Sequence, residues 1–482
     1  MEKGEGSSMN RKLSRREFLK FGTLAAGAAA LASCAPAATP TPAPKEAAPT
    51  PTPVPQPTKA QPQETLRVLA LNWPQTQYEQ KLADETFTPA TGIKVVIDQT
   101  PYTFLEQRVK QLVNAKSAEY DIYHYDSQWI GGFVAAGALE RLDTPEYLNS
   151  PDAAIQFDDF FPEITYRIGK YPTTQAELVA GQWDAFKDTP IYGFPWSLNC
   201  QVLWYRKDLI STPPATWEEV REMAKGLTKG GMFGWAWQGS RLGDYISVDY
   251  CPLMWSFGGS LWDDVCWKAD GHINGPKAVE ALQFMSDMML KDKTVDPASG
   301  NWTIDERLAA ILQGQTAMAL NWAPLFGGIA DDPNASAVVG KIGFAPSPGG
   351  KGGQFAMFGS QGSGINAYSA KKQAAWKYLQ WLYSYDTAKA LVDTPGAGFV
   401  SARKDLKDYA AGLSPWQRVF IESIPMVRDF WNNASYAELL DIMQRELNLG
   451  YIGVKDPEKA LNDCALAHQV VYDTSPENPK KC

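Results

Sequence analysis

Apolar positions along this chain fall into short runs with two periods. Leu66 to Leu71 is apolar except for Arg67 and stops at Asn72-Trp73-Pro74, the pattern of a buried strand followed by a loop. A helix is expected around Tyr78–Phe87. A β-branched strand follows over Thr91-Gly92-Ile93-Lys94-Val95-Val96-Ile97, then a helix at Leu105–Ala115 and a short strand at Tyr120–Tyr123. Strands alternating with helices predict βαβ units, a mostly parallel sheet and the α/β class. Later helices carry their own punctuation. Thr216-Trp217-Glu218-Glu219 and Thr303-Ile304-Asp305-Glu306 read as capping boxes, and Gly314 stops the second of these helices. Pro276 opens a helix whose Val279, Leu282, Met285 and Met289 form one stripe, and Ala375, Leu379 and Leu382 face inward from a helix over Trp376–Tyr385.

The first 63 residues follow neither period. Ser14-Arg15-Arg16-Glu17-Phe18-Leu19-Lys20 matches a twin-arginine export signal and precedes an Ala/Gly-rich apolar run too short to span a membrane. Leu31-Ala32-Ser33-Cys34 resembles a bacterial lipobox, which implies cleavage after residue 33 and a lipid on Cys34, anchoring the protein to the outer face of the cytoplasmic membrane. Residues 35–63 hold ten prolines, a composition that forms no core and favours an extended tether of up to roughly 90 Å.

Composition narrows the function. The 482 residues carry a net charge of −9, and loss of 1–33 removes six basic and three acidic residues, so the exported part is more acidic still. A nucleic-acid partner is therefore not expected. His124, His272 and His468 lie far apart, and Asp331-Asp332-Pro333-Asn334 lacks the spacing of a calcium loop, so no metal or other cofactor is expected. Outside the cytoplasm, Cys251 with Cys266 and Cys464 with Cys482 are candidate disulfides, leaving Cys200 unpaired. All 17 tryptophans lie beyond residue 63.

A series of segments then carries a resemblance: Leu66–Leu71 with Thr91-Gly92-Ile93-Lys94-Val95; Asp121-Ile122, Gly131-Gly132-Phe133 and Ala136-Gly137-Ala138-Leu139; Gly193-Phe194-Pro195, Leu203-Trp204-Tyr205-Arg206-Lys207-Asp208-Leu209 and Pro214-Ala215-Thr216-Trp217-Glu218-Glu219; Phe257-Gly258-Gly259, Gly314-Gln315-Thr316-Ala317-Met318 and Gly362-Ser363-Gly364-Ile365-Asn366-Ala367. In this order they resemble the family 1 extracellular solute-binding proteins of ABC importers, of the sugar-binding, maltodextrin type. The resemblance implies a two-lobed periplasmic-binding-protein type II fold with hinge strands and a ligand cleft between the lobes. It implies one lobe at 64–198 plus 358–400, the other at 203–357, C-terminal helices over 401–482, and crossings near Ser197–Val202 and Ala356–Ser360. Residues 144–190 read as an insertion. The implied function is capture of a sugar or oligosaccharide by a monomer, which delivers it to ABC permease subunits.

Sugars present CH patches and hydroxyl rims, which call for aromatic faces and for amides or carboxylates. Trp73 sits after the first strand. Tyr125, Asp126, Ser127, Gln128 and Trp129 occupy the loop before Gly131-Gly132, a sugar-contacting segment in maltodextrin-type members. Trp196 and Asn199 lie at the first crossing, where Asn199 replaces an acidic ligand contact. Tyr250 and Trp255 precede Gly258-Gly259, and Trp322 follows Ala317-Met318, two positions earlier than the stacking Trp of maltodextrin-type members. Trp237, in the alternating Trp235-Ala236-Trp237, and Gln361, next to the second crossing, complete the candidate set. Each Trp reads equally as buried packing. A polyamine or phosphorylated solute within the same family is an alternative, as are an exported glycosidase, which needs two carboxylates at a defined separation, and a stalked adhesin.

Overall fold

The computed structural model describes residues 64–394 and 396–479. The export segment, the tether, Cys34 and Cys482 lie outside the described residues. β1 (Glu64–Leu71), β2 (Ile93–Thr100) and β3 (Ile122–Asp126) run parallel, with Leu66 opposite Val95 and Val68 opposite Ile122. They are joined by α1 (Pro74–Leu82) and α2 (Tyr102–Asn114). α1 starts at Pro74, earlier than expected, because a proline in the first turn gives up no helical hydrogen bond. β3 runs on to Asp126, so Tyr125 and Asp126 belong to a strand rather than to the expected loop, and Ser127–Trp129 form one 3-10 turn.

Within the 144–190 stretch lies α3 (Pro162–Gly169), followed by β4 (Phe194–Pro195). β5 (Gln201–Arg206) opens a second sheet. There follow α4 (Trp217–Leu227), β6 (Phe233–Trp235), α5 (Tyr245–Phe257), α6 (Pro276–Leu290), α7 (Ile304–Leu312), β7 (Thr316–Trp322) and β8 (Ile342–Ala345). The capping boxes at Thr216 and Thr303 form as expected, and Gly314 ends α7 in the left-handed region at φ 69°. Leu282, Met285 and Met289 of α6 are core.

The chain then returns through β9 (Ala356–Met357) to β10 (Gln361–Ile365), which inserts antiparallel between β3 and β4. The first sheet is therefore ordered β2-β1-β3-β10-β4 and the second β6-β7-β5-β8. Only the β1–β2, β1–β3 and β6–β7 pairings among these two sheets are parallel. The expectation of a mostly parallel sheet thus holds for the N-terminal βαβ units alone. β10, which returns from the second sheet to the first, runs against both of its neighbours, β3 and β4.

After α8 (Lys372–Leu382), β11 (Val427–Arg428) pairs with β9, and α9 (Tyr436–Tyr451) and α10 (Pro457–Thr474) pack together and on α6. Residues 429–433 reach the insertion, where the Gln175 amide donates to Phe430 O at 2.9 Å. A Cβ on Gly131 would lie 1.9 Å from Asn432 O, so only glycine permits this approach.

Cys251 and Cys464 are buried free thiols, which corrects both expected pairings. Cys251 lies inside α5 and Cys464 inside α10, each enclosed by its own helix packing. Cys200 is free and buried, as expected. Cys266 is disulfide-bonded. Among the described residues no helix is long and apolar enough to cross a membrane, and no three His, Cys, Asp or Glu side chains converge as a metal-ligand set.

Two buried polar clusters brace the sheets. Asp249 of α5 is fully buried and ion-paired with the equally buried Arg307 of α7. Its oxygens also accept from Gln201 Nε2 at 3.0 Å and Gln238 N at 2.9 Å, and Arg307 Nη2 donates to Asn321 Oδ1 at 3.3 Å. One ion pair thus ties two helices to β5 and β7. Replacing Arg307 alone strands a buried carboxylate, so Arg307→Met is expected to cost about 3–5 kcal/mol in urea unfolding. Arg307→Met combined with Asp249→Leu should recover most of that loss.

In the second cluster, the Tyr378 hydroxyl donates to Glu79 Oε1 at 2.5 Å, His124 Nε2 lies 3.5 Å from the same oxygen, and the His124 ring stands 4.2 Å from that of Trp196. Burial pushes the Glu79 carboxyl up to about 8 and the His124 imidazole down to about 3. An unfolded Glu79 ionises near its ordinary 4.5 while the folded one stays protonated, so its contribution to stability is lost as pH rises from about 4.5 through 8. Glu79→Gln is therefore expected to melt closer to, or above, the wild type with each step from pH 5 to pH 8. A melting difference independent of pH across that range would contradict this.

Candidate functional site

The C-terminal ends of β1, β3 and β7 and the N-termini of α1, α2, α5 and α7 surround one cavity of about 360 Å³. This is the place where α/β sheets commonly hold ligands, because chain direction changes there and leaves a crevice. Trp73 comes from the turn after β1, Tyr102 from the start of α2 and Asp126 from the end of β3. Asp244 and Tyr245 come from the start of α5, Ile304 and Asp305 from the start of α7, and Trp322 from the end of β7. Asn199, Gly359 and Gln361 line it from the two crossing segments, and Leu325, Phe326 and Ile329 add an apolar edge. A neighbouring hollow of about 500 Å³ shares Pro74, Leu325 and Ile329 and reaches Trp416.

The aromatic elements are held in place by packing. The Trp73 and Tyr102 rings lie 9° from parallel with centroids 6.3 Å apart, and Tyr102 rests against Trp129 at 5.5 Å. Trp322 is 8 % exposed, and a Cβ on Gly359 would fall 2.6 Å from its ring, so the glycine makes room for the indole.

The polar elements form a chain across the site. Asp126 Oδ1 accepts from Ser127 N at 2.9 Å, and Ser127 Oγ donates to Asp429 Oδ2 at 2.5 Å. Gln128 Nε2 donates to the Tyr102 hydroxyl at 3.3 Å, which donates to Asp244 Oδ2 at 3.1 Å. Tyr102 opens α2, which packs on the first sheet, and Asp244 immediately precedes α5, which Asp249 ties to β5 of the second, so this bond joins two walls of the cavity. Burial pushes the Asp244 and Asp429 carboxyls up to about 6, and burial together with both of those carboxylates pushes Asp126 up as well. Asn199 and Gln361 are 2 % and 1 % exposed, and the Oδ1 of the first and the Oε1 of the second have no partner.

Of the sequence candidates, Trp73, Asp126, Asn199, Trp322 and Gln361 meet at the cavity. Ser127, Gln128 and Trp129 stand directly behind it, holding Asp126, Asp429 and Tyr102. The remaining five depart from the expectation. Tyr125 is fully buried and donates to Ile168 O, and Tyr250 donates to Ala278 O within the core. Trp237 packs with Trp217 and Trp235 at 5.7 and 4.9 Å, Trp255 lies under Arg428 and Phe355, and Trp196 packs on His124 and Phe399. Their rings are large enough to fill core volume between elements, which is the use made of them. Tyr102, Asp244, Tyr245 and Asp429 escaped the sequence reading. Tyr102 had a local signal, an aromatic at a strand-to-helix turn after Pro101. Asp429 had none, since its contact spans 302 residues.

Comparison with known proteins is consistent with this architecture. Residues 72–389 match the family model described as bacterial extracellular solute-binding protein. A Sinorhizobium fredii protein named "Probable amino-acid ABC transporter periplasmic-binding protein" is 25% identical over 394 residues, covering 78% of this chain and 82% of its own. Maltose-bound T. maritima MalE3 superposes with a TM-score of 0.71 at 24% identity, covering 85% of this chain and 100% of that one. An ABC transporter solute-binding protein from Agrobacterium radiobacter K84, in complex with ribitol, superposes at 0.69 with 25% identity, covering 85% and 99%. The chain belongs to the bacterial extracellular solute-binding proteins of ABC transporters.

Proposed function

We infer that this receptor captures a sugar or polyol in the Trp73–Trp322 cavity and presents it to an ABC permease. The observation that carries the reading is the lining itself: aromatic faces from Trp73, Tyr102 and Trp322 among carboxylates and amides, with no Lys, Arg or His. Aromatic faces suit sugar CH patches, and the acceptors suit hydroxyls. The same lining disfavours a phosphorylated solute or a free amino acid, whose anionic group would find no cationic side chain. In this reading one lobe comprises 64–198 with 358–400 and the other 203–357. A ligand touching both favours the form in which both sets of contacts are made, and that form is the one a permease recognises. Export by the twin-arginine route and a lipid on Cys34 would keep the receptor at the membrane.

Intrinsic fluorescence and thermal shift over a panel of sugars and polyols test the reading, with product analysis alongside. Saturable binding without turnover is expected, and hydrolysis would overturn it. Trp322→Ala and Trp73→Ala should each weaken binding by about tenfold or more, the order of one lost aromatic face. Trp237→Phe, in the core, should leave affinity unchanged. Cys34→Ala should release the protein from membranes with binding intact; retention there would exclude the anchor.

A further inference from the structure

Two carboxylates, Asp126 and Asp244, line the same cavity and act on each other electrostatically. Asp126 is 3 % exposed and Asp244 is half-buried, yet neither makes an ion pair with any described Lys, Arg or His. Arg167 is the guanidinium that faces Asp429, and its Nη1 and Nη2 are committed to Glu163 O at 2.9 Å and Val427 O at 3.0 Å. A carboxylate withdrawn from water without a counter-charge is costly, and the upward displacement of all three carboxyls reflects that cost. No metal-ligand set forms among the described residues.

A second observation points the same way. Asn199 Oδ1 and Gln361 Oε1 are unpartnered acceptors on almost fully buried side chains that line the same cavity. The Gln361 Nε2 donor is already committed to Gly359 O at 2.8 Å, and the Tyr102 hydroxyl is committed to Asp244. Both of these buried, unpartnered side-chain atoms of the lining are acceptors, and each calls for a donor. Beside the two carboxylates stand the near-parallel faces of Trp73 and Tyr102, which attract a cation through their ring quadrupoles.

We propose that the solute is an amine-bearing polyol or saccharide whose ammonium is held by Asp126 and Asp244 against the Trp73 and Tyr102 rings, while its hydroxyls donate to Asn199 and Gln361. This rests on the sugar reading above and deepens it. The amine supplies both the missing positive charge and up to three N–H donors.

Matched pairs that differ only in the amine test it by titration calorimetry on the lipid-free full-length receptor: glucosamine with glucose, glucamine with sorbitol, and the glucosamine disaccharide chitobiose with both its diacetylated form and cellobiose. Spermidine serves as a cation without hydroxyls. At least one amine member is expected to bind tenfold or more tighter than its neutral or acetylated counterpart. Asp244→Asn and Asp126→Asn should each remove that preference, lowering the amine member's affinity at least tenfold more than that of its neutral counterpart. Asp244→Glu, which keeps the charge, should retain part of it. Neutral members binding as well as or better than amines would overturn the amine assignment and leave the sugar reading standing. Spermidine alone binding would overturn the sugar reading instead. Silence across the whole panel would overturn both. A melting temperature for each variant within a few degrees of the wild type separates loss of preference from loss of fold.

Discussion

The arrangement depends on two chain crossings being fastened to each other between the sheets. Ser360 Oγ accepts from Asn199 N at 2.8 Å and donates back to Asn199 O at 3.1 Å. Gln361 N donates to Ser197 O, Trp196 N to Gln361 O, and Cys200 bridges Phe358. These backbone groups are buried, so each must keep a partner, and the two segments cannot slide past one another without breaking the set. If the sheets move as two lobes, as the proposed reading has it, backbone rotation in these few residues would carry the motion. The same fastening sets Asn199, Gly359 and Gln361 side by side on the cavity wall. Crossing and cavity wall are thus one structure, and on the proposed reading a ligand bonded to Asn199 or Gln361 would be bonded to the crossing itself.

Behind the crossings a third segment completes the brace. Phe358 N donates to Arg428 O, and Asp429, the next residue, takes the Ser127 hydroxyl that stands beside Asp126. The far C-terminal part of the chain therefore helps to position a carboxylate at the end of β3. The tight approach at Gly131 fixes the same segment from the other side, since any side chain there would collide with Asn432 O.

What could be read from the sequence follows from the range of the interactions. β1, β2 and α2, the capping boxes at Thr216 and Thr303, and the methionine stripe of α6 are set by neighbours within a few residues, and their patterns were legible. The antiparallel insertion of β10 is not a local property, because it depends on where a strand finds room some 240 residues after β3. Tryptophan was the least informative signal. The same ring that offers a face to a sugar also fills a core, and Trp217, Trp235 and Trp237 close one hydrophobic cluster while Trp322 lines the cavity. The cysteines misled for a related reason. Proximity in sequence suggested Cys251 with Cys266, but helix packing turns Cys251 into the interior.

On the proposed reading, the polar residues of the site would carry more specificity than its aromatics. A ring face accepts many apolar patches at similar gain, whereas a buried acceptor left without a donor penalises every solute that fails to supply one. Asn199 Oδ1 and Gln361 Oε1 impose that penalty at fixed positions, because their backbones are fastened across the hinge. Asp126, which lines the same cavity, is held as well, its Oδ1 accepting from the Ser127 amide. On the proposed reading, discrimination between solutes would depend less on cavity size than on whether donors arrive at these three places together, with Tyr102 hydrogen-bonded to Asp244 beside them.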